Sequence, residues 1–189
     1  MSRHAHLPAG SQTVGPYFRI GLEYLMERTP ASTLDMLETP GTIELRGRVL
    51  DGDGAPVPDA MLEFWSPPAA PVVADRLRHD AKQEGIPAGF KRVATESDGG
   101  YSIVIERPAA QHPETSHMIV LVFARGLLRH LITCVYLGDE QANDNDPVLI
   151  EISEERRATL IARPDVSRTD LYWWDVRLQG KHETVFFAW

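Results

Sequence analysis

The sequence predicts an all-β protein, an antiparallel β-sandwich with an N-terminal arm and one short helix. Eight or more short stretches alternate apolar with polar residues or are rich in β-branched and aromatic ones. Clusters of Gly, Pro, Asn and Asp separate them at short intervals, and a single segment has the capping pattern of a helix. Many short strands with frequent turns are the signature of two packed antiparallel sheets. At 189 residues the chain is long enough for one domain with a substantial core. With 43% hydrophobic and 24% charged residues it has the composition of a globular protein and not of a disordered one. No internal repeat or low-complexity linker divides it, so the expected organisation is an arm and lead-in over 1–40 and a sandwich domain over 41–189.

Residues up to Gly15 lack apolar periodicity and read as an arm. In S-Q-T-V-G-P-Y-F-R-I-G, Pro16 sets its own φ and biases Gly15 toward an extended or turn conformation, which makes a stiff bend. Thr42 to Leu50 alternates, with Ile43, Leu45, Gly47 and Val49 on one side of a half-buried strand. The turn formers from Asp51 to Asp59 lead into A-M-L-E-F-W, and the combination reads as a hairpin. Ser66 to Ala88, proline-rich and without periodicity, reads as a long surface loop. Phe90 to Thr95 and Tyr101 to Glu106 read as a second hairpin around E-S-D-G-G.

His117 to Gly126, H-M-I-V-L-V-F-A-R-G, holds the longest apolar run and reads as a strand buried on both faces. L-L-R-H-L-I-T-C-V-Y-L is its hairpin partner. D-E-Q-A-N-D-N-D-P reads as a solvated turn, since it lacks the glycine and terminal glutamate of a calcium loop. Ser153 is placed to cap the one helix, E-E-R-R-A-T-L-I-A-R. L-Y-W-W-D-V-R-L-Q alternates again, so Trp173 and Trp174 face opposite ways, and one of them faces outward.

A net charge of −8, with 19 basic residues scattered along the chain, argues against a nucleic-acid partner. No apolar run approaches the roughly 20 residues a membrane helix needs, and the first residues contain no secretory core, which points to the cytoplasm. The single cysteine, Cys134, lies among apolar neighbours and reads as a buried, inert thiol.

Four segments, in this order, resemble the intradiol ring-cleavage dioxygenases. They are S-Q-T-V-G-P-Y (11–17), G-R-V-L-D-G-D-G-A-P-V-P-D-A-M-L-E-F-W (47–65), H-M-I-V-L-V-F-A-R-G (117–126) and R-L-Q-G-K-H-E-T-V-F-F (177–187). The match spans Ser11 to Phe187, and its specific part is F-A-R-G together with Q-G-x-x-E-T-V-F-F. The resemblance implies a β-sandwich and a non-haem ferric iron (Fe3+) held by two tyrosines and two histidines, the histidines as H-x-H on one strand. That spacing suits a shared metal, because residues two apart on a strand point to the same face.

Residue by residue, the metal pattern is broken. His117 stands at the first histidine position, but Ile119 stands at the second. The first tyrosine is expected about where Val73 falls and the second between Arg107 and Ser116, and neither segment contains a tyrosine. With one candidate ligand of four, no metal is expected in this chain, and His117 reads as a structural, hydrogen-bonded residue. Keeping the fold while losing the ligands is similar to the iron-free subunit of a two-subunit member. The resemblance then implies a homologous, iron-bearing beta subunit as partner in a larger hetero-oligomer. It implies 3,4-dihydroxybenzoate (protocatechuate) and O2 as reactants and 3-carboxy-cis,cis-muconate as product, with no catalytic residue in this chain alone.

By the same resemblance the arm contributes to the subunit interface. Thr13, Gly15, Pro16 and Tyr17 form one wall of the partner's substrate cleft, and Arg125 points toward the substrate carboxylate. A planar, permanently charged guanidinium suits that anion. Taken without the resemblance, the first four are a rigid bend and Arg125 is a surface ion pair worth about 0–1 kcal/mol. For His130, partner contact and plain packing weigh equally. Two rival readings stand beside this one. The first is a β-sandwich binding or assembly module with no enzymatic role. The second is a free-standing dioxygenase whose ligands are relocated to His79, His112 or His117.

Overall fold

The computed structural model describes residues 20–22, 41–66, 89–108 and 116–188. The expected arm lies outside the described residues except for a helical piece at 20–22, and so does most of the expected loop after Ser66. Nine strands are described: β1 (Thr42–Leu50), β2 (Met61–Trp65), β3 (Phe90–Ala94), β4 (Gly100–Glu106), β5 (His117–Phe123), β6 (Leu131–Leu137), β7 (Ile161–Pro164), β8 (Leu171–Trp173) and β9 (Val176–Arg177). They follow the order β3-β2-β5-β6-β7-β8-β1-β4, with β9 also on β1. β3, β2, β5 and β6 form one layer, and β8, β1 and β4 form the other. Short β7 joins them, pairing parallel to β6 and antiparallel to β8.

The sandwich follows from side-chain alternation. Leu45 and Val49 of β1, Leu62 and Phe64 of β2, Ile103 and Ile105 of β4, and Met118, Val120 and Val122 of β5 belong to one buried cluster between the layers. Phe64 and Tyr101 meet within it across the layers, their ring centroids 6.1 Å apart. The main sheet contacts are antiparallel, as expected, while β1–β8, β1–β9 and β6–β7 run parallel. Gly47 is where the β8–β9 connection crosses β1. A Cβ there would lie 1.6 Å from the Trp174 carbonyl oxygen, which also accepts from the Tyr101 hydroxyl at 2.7 Å.

Two expected hairpins are not ladders. β1 pairs with β4, β8 and β9, and β2 pairs with β3 and β5, so the Asp51–Asp59 turn carries the chain from one layer to the other. The second turn is present, closed by Glu96 N donating to Gly100 O at 2.8 Å, yet β3 and β4 also belong to opposite layers. Alternation reports which side of a strand faces the core and says nothing of its partner. The β5–β6 hairpin forms as expected, with Ile119 opposite Cys134.

The helix content is also corrected. The helix after Ser153 stops at Arg157 and is followed by a 3₁₀ turn at Ala158–Leu160. Ile161 and Ala162, expected in that helix, form a parallel ladder with Tyr136 and Leu137 instead. Ser153 makes no side-chain cap hydrogen bond. The acidic turn contains a 3₁₀ turn at Gln141–Asn145, followed by a helix at Pro147–Glu151. Asp146 caps that helix, accepting from Val148 N at 2.9 Å and Leu149 N at 3.0 Å, with Pro147 in the first turn. An aspartate before a proline is a helix-start signal that the string of polar residues obscured.

Outside the sandwich, the Pro147–Glu151 helix, the Ala158–Leu160 turn and the C-terminal segment cover the outer side of β6, where Tyr136, Leu149 and Leu160 form a second buried cluster with Cys134. Thr133 Oγ1 donates to Val185 O at 2.7 Å and Phe187 N to Ile132 O at 2.8 Å, fastening that segment. Trp174 is buried, its indole donating to Thr159 O at 2.9 Å, while Trp173 faces outward and is 41% exposed. No described helix is long and apolar enough to cross a membrane.

Candidate functional site

The site is organised on β5 and the turn that follows it. Hydrogen bonding to β2 on one side and β6 on the other fixes the strand's orientation. The strand is buried on one face and not on both as its apolar run suggests, because the second layer packs on one side only. Met118, Val120 and Val122 are fully buried in the core, and His117, Ile119, Leu121 and Phe123 line a partly exposed outer face. His117 and Ile119 thus share the face on which an H-x-H pair would present two imidazoles. Ile119 is 37% exposed, between Trp65 of β2 and Cys134 of β6.

The neighbours of this end are apolar or already engaged. The His117 ring packs 5.1 Å from Tyr136, whose hydroxyl donates to Asp146 Oδ1 at 3.3 Å. Tyr136 is fully buried. Burial, with the Asp146 charge adding to it, pushes the Cys134 thiol up to about 12, so it is protonated and inert at neutral pH, as its surroundings in the sequence suggest. Among the described residues no three His, Cys, Asp or Glu side chains converge as a metal site. One imidazole beside an isoleucine does not fit a ferric ion held by two tyrosines and two histidines.

The opposite end is polar and open. Leu127 N donates to Ala124 O at 3.2 Å across the turn Ala124-Arg125-Gly126-Leu127. Gly126 has φ +91° while Arg125 keeps a negative φ, the pattern of a type II turn with glycine in the position that requires it. Ala124 is buried, and the turn projects Arg125 outward, 65% exposed. Its Nε lies 3.2 Å from Asp59 Oδ2, on the segment leading into β2. His130, farther along the same connection, packs its ring 5.4 Å from Phe123.

Of the residues predicted from sequence to line a substrate site, Arg125 alone is described. Thr13, Gly15, Pro16 and Tyr17 lie outside the described residues, as do His79 and His112. Sequence reasoning missed two residues. Asp59 was read only as a turn former, and nothing local marks it as the partner of Arg125. Arg107, at the end of β4, donates to the Tyr172 hydroxyl at 2.7 Å, to Asp139 at 2.9 Å and to Glu140 at 2.7 Å. Burial opposes its charge, but those three acceptors outweigh it and raise its pKa further above the usual range. Arg107 ties the sheet edge to the β6–helix connection.

Over 191 residues the chain is 42% identical to a protocatechuate 3,4-dioxygenase alpha chain from Burkholderia cepacia, covering 94% of this chain and 95% of that one. The chain belongs to the protocatechuate 3,4-dioxygenase alpha-chain family. An alpha chain from Pseudomonas putida is 38% identical over 94% of both chains. A beta chain from Burkholderia cepacia is 28% identical over 75% of this chain and 66% of that one, so alpha and beta chains are related in sequence. No protein-family model matches the chain.

Solved structures agree on the fold. A dioxygenase domain from Streptomyces sp. SirexAA-E, at 17% identity, superposes with a TM-score of 0.57 over 95% of this chain and 96% of that one. Catechol 1,2-dioxygenase from Pseudomonas arvilla C-1, at 19% identity, gives 0.52 over 75% of this chain and 53% of that one. This chain thus shares the sandwich fold of these dioxygenases, with His117 and Ile119 on the outer face of β5.

Proposed function

We propose that this chain is the iron-free subunit of a protocatechuate 3,4-dioxygenase. In this reading it supports the cleavage of 3,4-dihydroxybenzoate by O2 to 3-carboxy-cis,cis-muconate at a ferric site held by a homologous beta subunit. The observation behind it is the outer face of β5, where the position for a second imidazole is taken by Ile119. A chain of this family without its own ligand set acts through a neighbour. The exposed Arg125 at the far end of the same strand is suited to receive an anion.

In the proposed complex the iron supplies the oxygen chemistry within the beta subunit. This chain supplies binding and orientation. Arg125 donates to the substrate carboxylate, and Thr13, Gly15, Pro16 and Tyr17 wall the cleft, with the arm 1–40 in the subunit interface. A charge-assisted hydrogen bond contributes about 1.5–3 kcal/mol, which favours carboxylated over plain catechols. Orientation matters because a ring held in reacting geometry removes part of the entropic barrier.

Iron content and turnover decide the matter. The chain purified alone should contain no stoichiometric iron and show no ring cleavage, and co-expression with its beta partner should restore both. Stoichiometric iron with charge-transfer colour in the isolated chain would overturn the proposal, and would favour relocated ligands at His79, His112 or His117.

A further inference from the structure

We infer that Asp59 is a positioning residue, holding the Arg125 guanidinium in the orientation that receives the substrate carboxylate. The inference rests on the reading of Arg125 given above and extends it to a residue on a different part of the chain. Asp59 Oδ2 is buried and, among the described residues, accepts no hydrogen bond of good geometry. Its ion-pair partner is Arg125 Nε, 3.2 Å away. The Asp59 side chain is 16% exposed and that of Arg125 is 65% exposed, so the carboxylate is the fixed member and the guanidinium the open one. A carboxylate oxygen shut away from water needs charge compensation, and Arg125 provides it.

The base under Asp59 is rigid. The fully buried Thr95 clamps the segment on both sides, its hydroxyl donating to Val57 O at 2.8 Å and accepting from Ala60 N at 3.0 Å. Thr95 N also donates to Ala60 O at 2.9 Å. Arg125 itself sits on a hydrogen-bonded turn at the end of a strand paired on both sides. An arginine side chain is flexible, and an anchor at Nε reduces the rotamer freedom lost on binding while the outer edge of the fork remains available to a carboxylate.

The test compares Asp59→Asn, Arg125→Ala and the double variant in the purified two-subunit complex, with protocatechuate and with catechol. Arg125→Ala should raise KM for protocatechuate about tenfold or more. Asp59→Asn should raise it about three- to fivefold with kcat nearly unchanged. Both should affect KM for catechol much less, the double variant should match Arg125→Ala, and Asp59→Glu should recover most of the loss. If Arg125→Ala raises KM and Asp59→Asn does not, this inference fails while the role of Arg125 stands. If Arg125→Ala leaves KM unchanged, the underlying reading fails as well. Equal effects of Asp59→Asn on both substrates, or loss of assembly in that variant alone, would show a structural role and overturn the inference.

Discussion

The two ends of β5 are separated by one strand of seven residues and have opposite chemistry. At the first end, His117 packs on Tyr136, Ile119 occupies the next outward position, and Cys134 beside it is buried and protonated. At the second end, a glycine-dependent turn projects Arg125 outward against a buried carboxylate. The same backbone pairing supports both. Their difference shows how one strand can carry a closed, largely apolar end and an open, charged end on the same backbone geometry. The strand positions whatever side chains the sequence supplies, and the chemistry lies in those side chains.

The contrast is broken most easily at the turn. Gly126→Ala forces a side chain into the left-handed region, at a cost of about 1–2 kcal/mol. No atom would crowd the added Cβ, so the cost is conformational and not steric. The melting temperature should fall by about 2–8 °C, and KM for protocatechuate should rise with little change for catechol. An unchanged KM would mean that the exact placement of Arg125 does not matter.

Cys134 tests whether the first end is closed. An ordinary thiol titrates near 8.5, whereas burial holds this one near 12. The native chain at pH 8 therefore contains almost no thiolate. Its reaction with a disulfide reagent should be slow, accelerate as the pH approaches 12, and become immediate on denaturation. Rapid stoichiometric labelling of the native chain at pH 8 would show that the first end is open. The smallest expected effect is that of Ile119→His. It restores two imidazoles to one face but supplies neither tyrosine, so the isolated variant should still lack stoichiometric iron. Iron bound one to one, by elemental analysis, would mean that Ile119 alone separates this chain from a metal site.

Much of the fold was legible because strand alternation is local. Leu45 and Val49 face the core as their spacing indicates, and Trp173 and Trp174 divide outward and inward as adjacent strand residues must. The continuous apolar run of β5, by contrast, pointed to burial on both faces, and only Met118, Val120 and Val122 are fully buried. The break in the metal pattern at Ile119 and the inertness of Cys134 could also be read from residue types alone. Partner choice could not. The strands flanking Asp51–Asp59 belong to opposite layers, and Ile161 leaves a helical pattern to pair with Tyr136, because long-range pairing outweighed a weak local preference.

The amino-acid sequence by itself determined the fold class, the missing second histidine and the Arg-Gly turn after β5, since each depends on neighbouring residues and backbone sterics. Only the tertiary structure decided what surrounds the charges. Glu44 has the outward position its alternation predicts, yet it is buried under Arg46, Ser102 and Arg168. Burial opposes its ionisation, but the hydrogen bonds from those three residues outweigh it, so its carboxyl lies below the usual range. Asp59, one acid in a turn-forming stretch, becomes the partner of Arg125 in the same way. Apart from the local Arg46 contact, both pairings join distant parts of the chain, and charge compensation there depends on distance in space, which exists only once the chain has folded.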